Sequence, residues 1–193
     1  MRRVSAAGLS LIEVLLALSV TMAAAGAAVP AMLEISRAIR LRSACSFVAS
    51  YLQQARLESL RRSALVGVRF RAVGSDWLMG KYVDANGNGV RNADILSGVD
   101  VVLDEELAFS ARAASVHIAR LAGVPDVNGA PGGDPVRFGA SGIASFDADG
   151  SSSSGSLYLT DGRSQIALTL TAATGRIRLR QWDHRRRQWL QIR

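Results

Sequence analysis

Gly8-Leu9-Ser10-Leu11-Ile12-Glu13-Val14-Leu15-Leu16-Ala17-Leu18 places a single carboxylate at the head of an apolar run. From Val14 to Leu33 no residue is charged, and those twenty positions match the ~20 that a helix needs to cross a hydrocarbon core. Met1 to Gly8 is short, basic and polar, with Arg2 and Arg3. A secretory signal peptide puts its small-residue cleavage site after the apolar region, whereas here the small-residue boundary precedes it. A carboxylate within a membrane segment costs at least ~2.5 kcal/mol, so Glu13 reads as functional by default.

After Glu34 the helical period continues. Leu41, Ala44, Cys45, Val48, Leu52 and Ala55 recur at three- and four-residue spacing, with Arg42, Ser46, Gln53 and Arg56 opposite. This predicts an amphipathic half-helix to about Arg62 that packs one stripe on a globular domain. From Ala64 the period becomes two: Val66, Val68 and Phe70 alternate with Gly67, Arg69 and Arg71. Further strands are predicted at 77–83, 99–103, 115–118, 142–146, 156–160, 165–171 and 176–181. Turn signals separate them, such as Asn86-Gly87-Asn88-Gly89 and Asp161-Gly162, and Val124 to Asp134 reads as a loop. One long helix followed by many short strands predicts an α+β protein, the helix packed on an antiparallel, sandwich-like sheet domain.

The 193 residues are 49% hydrophobic and 20% charged, which allows one domain with a real core and excludes disorder over the whole chain. Cys45 is the only cysteine, so there is no internal disulfide and no cysteine-based metal site. The net charge of +7 is unevenly spread. Arg176 to Arg193 holds seven arginines against Asp183 alone, while the interval between Arg3 and Arg176 sums to −1. His117 and His184 have no histidine or cysteine at ligand spacing, and no nucleophile or phosphate-loop motif is present. No enzyme and no cofactor are expected.

Asp84-Ala85-Asn86-Gly87-Asn88-Gly89 begins like a calcium loop, with oxygen ligands at Asp84, Asn86 and Asn88 and a glycine at the sixth position. The twelfth position is Ile95, and Asp94 stands one residue early. The favoured reading is a hairpin turn, because Asn-Gly suits positive φ.

The Gly8–Glu13 stretch resembles the processing motif of type IV prepilins and type II secretion pseudopilins. That resemblance implies cleavage after Gly8 by a prepilin peptidase, N-methylation of Leu9, and pairing of the Glu13 carboxylate with an N-terminal amine during filament assembly. Pairing the two lowers the cost of burying each in an apolar filament core. Leu9 stands where phenylalanine is usual, and Pro30 matches a proline that commonly kinks this helix. Ala55 to Arg62 resembles the helix end of the FimT/GspH-like branch. The family implies a single-pass inner-membrane protein with its C-terminal domain in the periplasm, which joins a pilus or pseudopilus with other major and minor pilins or pseudopilins. The expected organisation is a leader at 1–8, a transmembrane and filament-core helix at 9–33, an amphipathic helix at 34–63, a periplasmic β-rich domain at 64–181 and a basic C-terminal tail at 182–193.

In Thr174-Gly175-Arg176-Ile177-Arg178-Leu179-Arg180, a strand puts Ile177 and Leu179 on the core face and Arg176, Arg178 and Arg180 on the other, with Cα atoms ~6.6 Å apart. Guanidiniums in such a row can engage successive phosphates. Arg185, Arg186 and Arg187 extend the charge, and Trp182 and Trp189 flank them as possible base-stacking groups. Gly175-Arg176-x-Arg178 resembles the C-terminal run of FimT-type minor pilins, a group in which a basic region is implicated in binding DNA during natural transformation. GspH-type pseudopilins also end a strand with Gly-Arg, and exposed arginines equally keep a strand edge soluble or meet anionic lipid. Two functions follow: a minor type IV pilin that binds DNA non-specifically, or a type II secretion pseudopilin with protein partners alone.

Overall fold

The computed structural model describes residues 10–129 and 133–192. The chain divides into two compact units, Met1–Ala38 and Ile39–Arg193, and one helix, α1 (Leu11–Arg62), contributes to both. In the first unit α1 runs through Pro30 and exposes apolar side chains such as Leu11, Leu16, Val20 and Met22. By length and composition it is able to cross a membrane.

In the second unit the stripe Leu41, Ala44, Cys45, Val48, Leu52 and Ala55 is buried, no member more than 2% exposed. Full burial of a Leu or Val stabilises by ~1.5–3 kcal/mol, so this stripe is the main tie between helix and sheets. Arg61 and Arg62 complement the negative helix end and both pair with Glu58, at 2.7 and 2.9 Å. Ser63 then turns the chain at φ 51, while Ser63 N and Ala64 N donate to the carbonyls of Leu60 and Ser59.

The strands follow: β1 (Val66–Val73), β2 (Asp76–Val83), a short helix α2 (Asn92–Ser97), and β3 (Val101–Ala108). Then come β4 (His117–Ile118), β5 (Val136–Arg137), β6 (Ile143–Phe146), β7 (Gly155–Thr160), β8 (Gln165–Thr171), β9 (Arg176–Asp183) and β10 (Gln188–Ile192). All pair antiparallel in two sheets. One has the order β3-β2-β1-β6; the other runs β10-β9-β8-β7-β4, with β5 also on β7. Val66, Val68 and Phe70 of the first sheet and Leu157, Leu159, Leu168 and Leu170 of the second share one core with the α1 stripe. The α+β architecture therefore holds.

Two local expectations change. Gln188–Ile192 is a strand paired on β9, so the segment from 182 onward is a hairpin rather than a tail. Residues 84–100 form a long connection containing α2, closed by Val83 pairing with Val101, instead of a tight hairpin turn. The only lysine, Lys81, is 5% exposed: Nζ lies 2.8 Å from Asp104 Oδ2, donates to Gln54 Oε1 and sits 4.4 Å over the Tyr51 ring. The exposed basic surface is accordingly made of arginine.

Candidate nucleic-acid interface

Strand alternation sets the faces of β9. Ile177 and Leu179 pack against the core, while Arg176 is exposed and Arg178 and Arg180 are half-buried. The register places Thr171 beside Arg176, Thr169 beside Arg178 and Ala167 beside Arg180. Across the same sheet Ser156 stands opposite Thr169, and Arg137 opposite Ser156. Directly opposed residues share a face, so Arg137, Ser156, Thr169 and Arg178 form one transverse row.

Arg137, Arg178 and Arg180, with Ser156, Thr169 and Thr171, line an open depression of about 520 Å³. Arg137 pairs with Asp126, a buried carboxylate that also accepts from the Tyr158 hydroxyl. Arg176, Arg178 and Arg180 form no ion pair among the described residues. The excess positive charge of the depression thus comes from β9; of its hydroxyls, Thr169 Oγ1 already donates to the Arg178 carbonyl at 3.3 Å, while those of Ser156 and Thr171 are donors of the kind that phosphate oxygens accept from.

The second arginine group occupies the turn between β9 and β10. Asp183 Oδ1 accepts from Arg185 N at 2.8 Å and Arg186 N at 3.1 Å, and Arg186 Nε lies 3.8 Å from Asp183 Oδ2. The Arg186 amide, with that of Arg185, holds the Asp183 carboxyl below the usual carboxylate range. Arg187 takes φ 51, and Arg185, Arg186 and Arg187 are all exposed. They stand beyond the end of β9, apart from the transverse row.

Trp182 and Trp189 pair across the hairpin with ring centroids 5.5 Å apart. Trp182 is 8% exposed. Trp189 packs 5.9 Å from the Tyr158 ring and donates Nε1–H to the Pro125 carbonyl at 3.2 Å. These indoles fasten the hairpin to the loop after β4, so they are not free platforms for bases.

Gly175 immediately precedes β9, at φ 58, and is buried against Arg56, whose Nε donates to the Gly150 carbonyl at 3.0 Å. Arg56 was expected on the solvent face of the helix; it is half-buried because this carbonyl and the bare glycine make a place for it.

Glu13 lies exposed in the first turn of α1, where Glu13 N and Val14 N both donate to the Ser10 carbonyl. Gly8 and Leu9 lie outside the described residues. Asp84 accepts three backbone N–H groups, from Asn86, Gly87 and Gly89, and Asn86 and Asn88 are exposed. Among the described residues no three His, Cys, Asp or Glu side chains group as a metal site. His117 and His184 are both exposed.

Arg137 escaped the sequence reading, because a two-residue strand inside an irregular segment has no readable period.

Residues 46–175 match the family described as type II transport protein GspH. No curated protein and no solved structure matches the chain. The matched span begins in the amphipathic half of α1, covers β1 to β8 and ends at Gly175. On that match, over most of its length, the chain belongs to the GspH family and has a pseudopilin or minor-pilin role, associating with other pilins or pseudopilins in an assembly.

Proposed function

We propose that this protein is a minor pilin of FimT type that captures DNA by its backbone through the outer face of β9. The observation that carries this reading is the row Arg176, Arg178 and Arg180, two of which share a hydroxyl-lined depression with Arg137. Contacts of this kind attract and position phosphates without reading sequence. Arg185, Arg186 and Arg187 add charge at the end of the same hairpin. The protein does no chemistry on the DNA.

The same reading includes cleavage after Gly8 by prepilin peptidase, methylation of Leu9, and Glu13 paired with an N-terminal amine in the filament. The C-terminal domain is then periplasmic, and the inner membrane holds the chain before assembly. The uncharged run Val14–Leu33 supports the membrane stage.

A second reading, a type II secretion pseudopilin with protein partners alone, is favoured by the family description and by the end of its match at Gly175, just before the arginine row. A gel shift with the full chain in detergent and a duplex of arbitrary sequence at low salt separates the two. Retardation supports the DNA reading; no retardation supports the second.

A further inference from the structure

β3 and β10 each leave a sheet edge open, and their sequences complement one another. β3 is an outer strand of the sheet ordered β3-β2-β1-β6, and β10 is an outer strand of the other sheet. β3 pairs only with β2, and β10 only with β9. Among the described residues no other backbone hydrogen bond reaches Val101–Ala108 or Gln188–Ile192. Each strand therefore presents a row of free N–H and C=O groups, a template for a further strand.

The β3 edge also carries exposed apolar surface. Val101 and Val102 are each 54% exposed, and Val99 and Leu96, just before them, are exposed as well. Past α1, the only other exposed large apolar side chain among the described residues is Val73. Apolar side chains gathered in this way mark a docking surface. The next stretch of β3 is acidic. Asp104 pairs with Lys81 and Glu106 with Arg71, while Glu105 is exposed and joins no ion pair among the described residues. β10 has the matching order: exposed Arg185, Arg186 and Arg187 lead into it, and Leu190 and Ile192, both half-buried, end it.

We propose that β3 of one copy of this chain accepts β10 of a second copy as an added antiparallel strand. Antiparallel alignment sets Val101 and Val102 beside the Leu190–Ile192 end and the Asp104–Glu106 segment beside the arginines. Parallel alignment sets the valines against the arginines instead. Two β3 strands paired antiparallel about their centre would put Asp104 opposite Glu105, and like charges directly opposite are destabilising. The complementarity thus selects two different patches over a two-fold contact. A heterologous contact that does not close on itself continues into a row of copies. Main-chain hydrogen bonds supply affinity, and the charged ends fix the direction. The contact uses none of Arg176, Arg178 and Arg180, so it stands apart from DNA capture.

The test is thiol cross-linking of the full chain in detergent, without DNA, by a short bismaleimide. Val102→Cys protein is mixed with Gln191→Cys protein, and each is also treated alone; Cys45 is buried in all of them. The mixture should yield cross-linked dimer roughly tenfold faster than either variant alone, because docking raises the local thiol concentration. Association through the apolar helices raises all three samples alike. Adding Glu105→Arg to the Val102→Cys chain should slow the mixture roughly fivefold, and adding Arg187→Glu to the other chain should restore it. A mixture no faster than the single variants overturns the proposal, whether β3 then takes a strand of another protein or none. An excess that Glu105→Arg leaves unchanged in folded protein overturns it equally.

Discussion

Gly175 packs so closely on Arg56 that a Cβ at position 175 would stand 2.8 Å from Arg56 Nε and 2.9 Å from the Gly150 carbonyl oxygen that this Nε bonds. The glycine of the Gly-Arg motif therefore has a packing role. It lets β9 start flush against the amphipathic half of α1, and it sets where the arginine row begins. Gly175→Ala faces a left-handed backbone cost of ~1–2 kcal/mol plus this collision. Gly162 also has a positive φ, at 86, but nothing lies within 4 Å of its Cβ position. In thermal melts Gly175→Ala should lose clearly more stability than Gly162→Ala. Equal losses would show that the contact with Arg56 does not matter.

The outer face of the four-stranded sheet should make the fold acid-sensitive. The hydrogen bond from Arg71, aided by the Tyr82 hydroxyl and the nearby Arg69, holds the Glu106 carboxyl below its ordinary range. A carboxyl lowered in the folded state contributes stability above its unfolded pKa of ~4.3, and that contribution is lost as pH falls through the lower folded value. Tm should drop across this window in the wild type. In Glu106→Gln the drop should be shallower, and an unchanged profile would contradict the assignment.

Cys45 should be silent in the native protein. It is fully buried on the α1 stripe, and burial pushes its thiol up to about 12. Thiolate is the reactive form, so alkylation at pH 8 should be negligible until the domain unfolds. Rapid labelling of native protein would mean that the stripe opens readily.

Glu13→Ala should still insert and be processed, because the change makes the segment more apolar. Incorporation into filaments should fall, measured as the variant's share in sheared filaments against its membrane pool. Wild-type incorporation would refute the pairing role of Glu13.

The helix and most strands were legible because one residue pattern met one constraint. The 3.6-residue stripe from Leu41 to Ala55 has a single way to be buried, and Val66, Val68 and Phe70 alternate cleanly. The predicted 165–171 strand coincides with β8. β10 was hidden because Arg185, Arg186 and Arg187 read as a solvated tail, although Trp189, Leu190 and Ile192 follow them. What forms the strand is nonlocal: Trp189 lies opposite Trp182 and bonds the Pro125 carbonyl. Arg137 and the engagement of Arg56 by Gly150 were hidden for the same reason, since each depends on a partner far away in the chain. The arginine alternation on β9 needed only the local period, and so it was readable.

DNA capture on β9 is tested by the salt dependence of duplex binding, with the full chain in detergent compared against Arg176→Gln/Arg178→Gln/Arg180→Gln. If three to five phosphates are neutralised, log K for the wild type should fall against log salt with a slope of roughly −3 to −5. The triple variant should keep its melting temperature, lose most of its affinity at low salt and show a slope shallower by about 3. A triple variant that folds and binds with the wild-type affinity and slope would contradict the claim that DNA is held on β9.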